Sequence, residues 1–162
     1  MCEESKGVRL VDVKKFVTTT IMIGDQPSEA DLRELKSLGF VGVVNLRNDG
    51  EPEQPISPSR EGDLARALGL EYLHHGVGAA PLDEACVAAV SDFIARHAQG
   101  TDQVLVHCRR GGRAVALVVL HFARVHGWTA DEVAERALEM GLAVDGGLRL
   151  MVEGWLRANP CR

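Results

Sequence analysis

The sequence lacks a long apolar segment, paired cysteines and an excess of basic residues. No apolar run approaches the ~20 residues that a membrane-spanning helix needs. The first residues show no apolar stretch behind a basic patch, so no secretory signal is predicted. We therefore expect a cytoplasmic protein with no membrane partner. The four cysteines are widely spaced and form no Cys-x-x-Cys pair, which favours reduced thiols over disulfides.

The net charge of -5 argues against nucleic-acid binding, because phosphate backbones favour clustered basic surface. The chain also lacks internal repeats, low-complexity tracts and a polar linker long enough to divide it. Its 162 residues are 46% hydrophobic, close to the average for globular domains. We predict a single domain over residues 1–162, with a core at about 16–142 and a C-terminal helix at about 147–158.

Helical and extended patterns alternate along most of the chain. Helix starts are predicted at the capping residues Ser28, Ser59 and Asp83 and at a capping box of Thr129 and Glu132. The remaining predicted elements are strands at 41–46, 70–75 and 103–107, a loop at 47–58, and a nearly all-apolar helix from 114 to about 125.

Strands separated by helices predict an α/β fold with a mainly parallel central sheet flanked by helices. In such sheets the ligand lies beyond the carboxyl ends of the strands. We therefore expect three segments to meet at one edge of the sheet. They are Arg47, the residues after His75, and Cys108.

The segment 107–113 joins the last predicted strand to the most apolar helix. Gly111 and Gly112 allow the backbone to bend tightly and to expose N–H groups. The start of the following helix adds unpaired N–H donors and the positive end of the helix dipole. A loop of this kind binds an anion. We expect it to hold Cys108 as a thiolate, which is a nucleophile.

Basic side chains surround this cysteine in the sequence. Arg113 offers a planar fork that can bind two oxygens of an oxyanion and stabilise its charge. Arg109 and Arg110 either contact a charged substrate or remain solvated. His107, at the end of the strand, either tunes the thiolate or orders the loop. A buried structural cysteine before a glycine turn is the alternative to this catalytic interpretation.

The string 107–113 resembles the His-Cys signature of tyrosine and dual-specificity phosphatases, but has one residue fewer between the cysteine and the arginine. Combined with Asp25-Gln26-Pro27, Val44-Asn45-Leu46-Arg47 and Glu51, this shorter loop resembles the bacterial beta-lactamase hydrolase-like phosphatase family over about residues 16–142. The resemblance implies a dual-specificity-phosphatase-like fold, with Cys108 as nucleophile and Arg113 as oxyanion holder. It also implies that Arg47 faces the same pocket.

The expected reaction is hydrolysis of a phosphorylated protein or a small phosphate ester through a thiophosphoryl enzyme, without a cofactor. It needs a general acid to protonate the leaving oxygen. Asp83 is the candidate because it follows the strand that ends near Val77, although capping the next helix is its simpler role. The rival acids are Asp25, Asp49 and Glu51.

Two other functions remain open from the sequence. A rhodanese-like sulfurtransferase would carry a persulfide on Cys108 in a similarly short loop. A noncatalytic module would bind an oxyanion or a phosphorylated partner without turnover. A metal site at His74, His75, His107 and Cys108 is not expected, because adjacent strand residues point to opposite faces of a sheet.

Overall fold

The computed structural model describes residues 14–78 and 81–160. The strands are β1 (Lys14–Phe16), β2 (Ile21–Gly24), β3 (Phe40–Asn45), β4 (Glu71–His74) and β5 (Gln103–His107). The helices are α1 (Glu29–Ser37), α2 (Pro58–Ala67), α3 (Glu84–His97), α4 (Gly112–His126), α5 (Val133–Glu139) and α6 (Gly146–Ala158). Within these residues, no helix combines the length and the apolar character that crossing a bilayer requires.

The strands form one five-stranded sheet in the order β1-β2-β5-β3-β4. β2, β5, β3 and β4 run parallel to one another, and β1 pairs with β2 in the antiparallel direction. This confirms the predicted α/β fold with a mainly parallel sheet. His107 at the end of β5 pairs with Gly24 and Asn45, and Asn45 pairs with His74. Four strand ends therefore lie level at one edge, one more than the three that the sequence predicted.

Both faces of the sheet are covered by helices. Val104 and Val106 of β5 belong to the core that contains α3, α4 and α6, whereas Leu105 belongs to the core that contains α1 and α2. This alternation follows from the two-residue period of a strand. Because the central strand is buried on both faces, its polar chemistry is confined to its carboxyl end.

Two of the four predicted helix starts are confirmed. Ser28 and Asp31 form a reciprocal capping box, and the Asp83 carboxylate accepts a hydrogen bond from the amide of Cys86. Ser57 caps α2, with Pro58 in the first turn, so the predicted cap at Ser59 was wrong by two residues.

The predicted capping box at Thr129 was only half right. The amide of Thr129 donates to the carboxylate of Glu132, but α5 itself begins at Val133 with Glu132 as its cap residue. The hairpin of β1 and β2 was not predicted. Its strands are three and four residues long, too short for a period to be recognised.

Candidate active site

The loop that follows β5 folds around the sulfur of Cys108. Cys108 is 1% exposed, and the amide of Gly111 donates a hydrogen bond to its Sγ at 3.1 Å. Gly111 has a φ of 96°, a left-handed conformation that a residue with a Cβ rarely adopts. This turn directs the backbone amide towards the sulfur immediately before α4 begins. The sulfur therefore lies against the amide of Gly111, next to the positive end of a fifteen-residue helix.

Arg113 lies in the first turn of α4 and connects three segments at the edge of the sheet. Its Nη1 donates to the carbonyls of Val77 at 2.9 Å and Leu46 at 3.3 Å. Its Nη1 and Nη2 also bind the two carboxylate oxygens of Glu51 at 2.9 and 2.7 Å. The sequence did not predict this bidentate ion pair. The ion pair uses Nη1 and Nη2 of the guanidinium, and Nε is not part of it.

The ion pair sets the charge of both partners. The hydrogen bond from Arg113 lowers the pKa of Glu51 below its ordinary 4.5, even though burial opposes this shift. The same bond raises the pKa of Arg113, and the nearby Cys108 thiol raises it further. Arg113 therefore lies close to the sulfur, as the sequence predicted. A carboxyl group held ionised by a guanidinium is a poor proton donor, which disfavours Glu51 as the general acid.

We expect Glu51→Gln to lower the melting temperature most at neutral pH. Because the pKa of Glu51 is depressed in the folded state, its ion pair stabilises the fold above about pH 4.5 and stops doing so as the pH falls through the folded value. The difference in melting temperature between wild type and Glu51→Gln should therefore shrink in acid. Thermal unfolding followed by circular dichroism between pH 3 and pH 7 measures this.

The control for this experiment is Glu29→Gln, which removes an exposed pair with Arg33. Exposed pairs contribute little to stability, so this variant should follow the wild type at every pH. A difference for Glu51→Gln that stays constant from pH 3 to pH 7 would contradict the assigned ion pair.

Arg47, which the resemblance implied to face the pocket, is fully buried. Its guanidinium donates to the carbonyls of Pro52 at 2.5 Å and Glu53 at 3.2 Å, and to the side chain of Gln26 at 3.0 Å. Glu53 has a φ of 57°, which is uncommon for a residue other than glycine. These contacts favour a supporting role for Arg47, in which it holds the loop that carries Glu51.

The other predicted site residues make contacts of their own. Asp83 is exposed, and its Oδ1 accepts from the amide of Cys86 at 2.6 Å, as a helix cap does. Arg109 pairs with Glu53 at 3.2 Å, and Arg110 is exposed. Among residues 14–78 and 81–160, no three histidine, cysteine, aspartate or glutamate side chains are grouped to hold a metal ion.

Sequence reasoning missed one polar residue directly behind the loop, Glu61. The buried carboxylate of Glu61 accepts from His107 Nε2 at 2.8 Å and from Gln26 Nε2 at 2.6 Å. A signal for Glu61 was present, since it shares the buried face of α2 with Pro58, Gly62 and Ala65. An acid on the apolar face of a helix needs a partner inside the protein.

A family model described as "Beta-lactamase hydrolase-like protein, phosphatase-like domain" matches residues 12–125. Among curated relatives, the beta-lactamase hydrolase-like protein of Agrobacterium fabrum is 34% identical over 105 residues. The match covers 64% of this chain and 23% of that protein. The chain thus spans about a quarter of the length of such relatives.

Solved structures share the fold at low sequence identity. A putative phosphatase from Shewanella putrefaciens superposes with a TM-score of 0.69 at 19% identity, covering 93% of this chain and 95% of that one. PTPMT1 in complex with PI(5)P superposes with a TM-score of 0.70 at 16% identity, covering 91% and 96%. These neighbours establish a tyrosine- and dual-specificity-phosphatase-like fold for the chain.

Proposed function

The chain belongs to the family of the phosphatase-like domain of beta-lactamase hydrolase-like proteins, and on this premise we propose that it hydrolyses phosphate monoesters with Cys108 as the nucleophile. The observation that carries the proposal is the buried sulfur of Cys108, which accepts the amide of Gly111 and lies close to Arg113. Backbone donors, a helix start and a guanidinium converge on one atom, which is the arrangement that an incoming phosphoryl group requires.

In the first step the Cys108 thiolate attacks phosphorus, a P–S bond forms, and the bond from phosphorus to the leaving oxygen breaks. The nonbridging oxygens take hydrogen bonds from the amides of residues 109–113 and from Arg113. Glu51 supports this step because its carboxylate holds the Nη1 and Nη2 edge of Arg113 and so orients the guanidinium.

The leaving oxygen takes a proton from a general acid, and Asp83 is our candidate for that donor. Asp83 ends the segment that begins at Val77, whose carbonyl accepts from Arg113. In the second step water attacks phosphorus and gives a proton to the Asp83 carboxylate, the P–S bond breaks, and phosphate leaves with Cys108 returned to the thiolate. No cofactor takes part in either step.

The proposed substrates are phosphorylated proteins or small phosphate esters in the cytoplasm. PTPMT1, which shares the fold, is known in complex with PI(5)P, a phosphate ester. Arg109 and Arg110 lie within the loop and are proposed to attract the dianionic group, since clustered positive charge raises the local concentration of an anion.

The proposal is tested by measuring phosphate release from p-nitrophenyl phosphate, phosphotyrosine, a nucleoside monophosphate and inositol phosphates. We expect at least one ester to be turned over with a rate proportional to enzyme concentration and with inhibition by vanadate. Absence of phosphate release across the whole panel between pH 5 and pH 8 would overturn the phosphatase assignment.

A rhodanese-like sulfurtransferase is the second candidate, and one observation favours it. Part of the Arg113 fork, which a phosphatase needs for its oxyanion, is already bound to Glu51, and only four residues separate Cys108 from Arg113. A persulfide on Cys108 needs the amide cradle but makes less demand on a guanidinium. Transfer of sulfur from thiosulfate to cyanide, measured beside the phosphate panel, separates the two activities.

A further inference from the structure

Behind the loop that holds Cys108, Glu61 and His107 form a fully buried pair. His107 Nε2 donates to Glu61 Oε2 at 2.8 Å, and both side chains are 0% exposed. His107 immediately precedes Cys108, whereas Glu61 lies on α2, in the connection between β3 and β4. A buried acid without a partner is strongly destabilising, so the Glu61 carboxylate, at a position where an apolar residue would fit the helix pattern, requires the partners that His107 and Gln26 provide.

Both ring nitrogens of His107 lie beside acceptors. Nε2 faces the carboxylate of Glu61, and Nδ1 faces the carbonyl of Cys108 at 3.4 Å. These two contacts fix the orientation of the ring directly beside the backbone of Cys108.

The second carboxylate oxygen of Glu61 leads to the opposite end of the site. Gln26 Nε2 donates to Glu61 Oε1 at 2.6 Å, and Gln26 Oε1 accepts from Arg47 at 3.0 Å. Arg47 holds the carbonyls of the loop that carries Glu51, and its Nε lies 3.7 Å from the Glu51 carboxylate. Glu51 in turn binds Arg113. A continuous series of polar contacts thus runs from Glu61 to the oxyanion-binding arginine.

We propose that Glu61 is a positioning residue that couples the two halves of the site, holding His107 behind the Cys108 nucleophile and, through Gln26 and Arg47, the loop that orients Arg113. This inference rests on the proposed function in taking Cys108 as the nucleophile. It gives α2 a role in catalysis, although Glu61 lies outside the sequence motif around Cys108. Glu61 touches no substrate and acts only through these neighbours.

The electrostatics of the pair support this assignment. Burial by itself raises the pKa of Glu61, but the charge and hydrogen bond of His107, with hydrogen bonds from Gln26 and Tyr72, outweigh it and lower the pKa. The carboxylate lies in the first turn of α2, where the helix dipole also favours a negative charge. Tyr72 of β4 is the other titratable group that faces it, and burial followed by the Glu61 charge raises the pKa of that phenol.

The first test measures the rate of Cys108 alkylation by iodoacetamide between pH 4 and pH 9, with each cysteine peptide quantified separately by mass spectrometry. In Glu61→Gln the ring of His107 loses the carboxylate that orients it behind Cys108, so the pH of half-maximal alkylation should shift by about one unit from that of wild type. Ser91→Ala is the matched control, because it removes a different buried hydrogen bond, to His121 at 2.8 Å, outside this network. Coincident profiles for wild type and Glu61→Gln would overturn the proposal.

The second test addresses the Arg113 half of the site. Inorganic phosphate should protect Cys108 from alkylation, and Glu61→Gln should need roughly threefold to tenfold more phosphate for half-protection. An unchanged phosphate requirement would overturn the coupling. If Glu61→Gln does not fold, Gln26→Leu replaces it in this measurement with the same expectation and the same overturning result. Neither test needs turnover, so failure of the phosphatase assay and failure of this proposal are distinguishable.

Discussion

Cys108→Ser is expected to release phosphate from p-nitrophenyl phosphate at a rate on the order of 10³-fold or more below wild type. The serine hydroxyl fits the space of the thiol but is not ionised at neutral pH, so the atom that must attack phosphorus is no longer a nucleophile. A hydroxyl is nearly isosteric with a thiol, so the buried position of Cys108 accommodates the change. We therefore expect the melting temperature to change little while turnover is lost.

Cys86→Ala is the matched control for this experiment. Cys86 is also a buried free thiol, but it lies on the core face of α3, where burial and then the charge of Asp83 raise its pKa to about 11. It is therefore protonated at neutral pH, and its removal should leave kcat within about twofold of wild type. Substantial turnover by Cys108→Ser, or equal losses in both variants, would exclude Cys108 as the nucleophile.

Arg113→Ala should lower kcat/KM by about 10²- to 10³-fold, because it removes the guanidinium that we propose stabilises the phosphoryl oxygens in the transition state. The substitution also leaves the carboxylate of Glu51 without its bidentate partner near an anion-binding site. The double variant Arg113→Ala, Glu51→Gln removes this negative charge. Its activity relative to Arg113→Ala separates repulsion by Glu51 from loss of the arginine.

Arg113→Lys distinguishes geometry from charge. Lysine keeps the positive charge but cannot bind two oxygens with a planar fork, so its activity should lie much closer to Arg113→Ala than to wild type. Arg149→Ala is the matched control, since it breaks a 2.7 Å pair with Glu153 on the exposed face of α6. If Arg113→Ala has full steady-state activity beside this control, the proposed role of Arg113 is wrong.

The fold was largely predictable because its signals are local. The apolar run before Asn45 and the Val104-Leu105-Val106 core of β5 identify buried strands, and Ser28 and Asp83 mark helix starts through their own side chains. The short hairpin of β1 and β2 gave no comparable signal, because three or four residues do not define a period.

The same contrast between local and distant signals applies to the site. The sequence by itself determined the loop at 107–113, because a cysteine, two glycines, an arginine and a helix start follow one another closely and need only local geometry to converge. Only the tertiary structure decided which acids serve that loop. Glu51 and Glu61 reach Arg113 and His107 from distant segments, and sequence spacing carries no information about such contacts. Charged side chains can be buried only where the fold provides partners, so their roles depend on the assembled sheet edge.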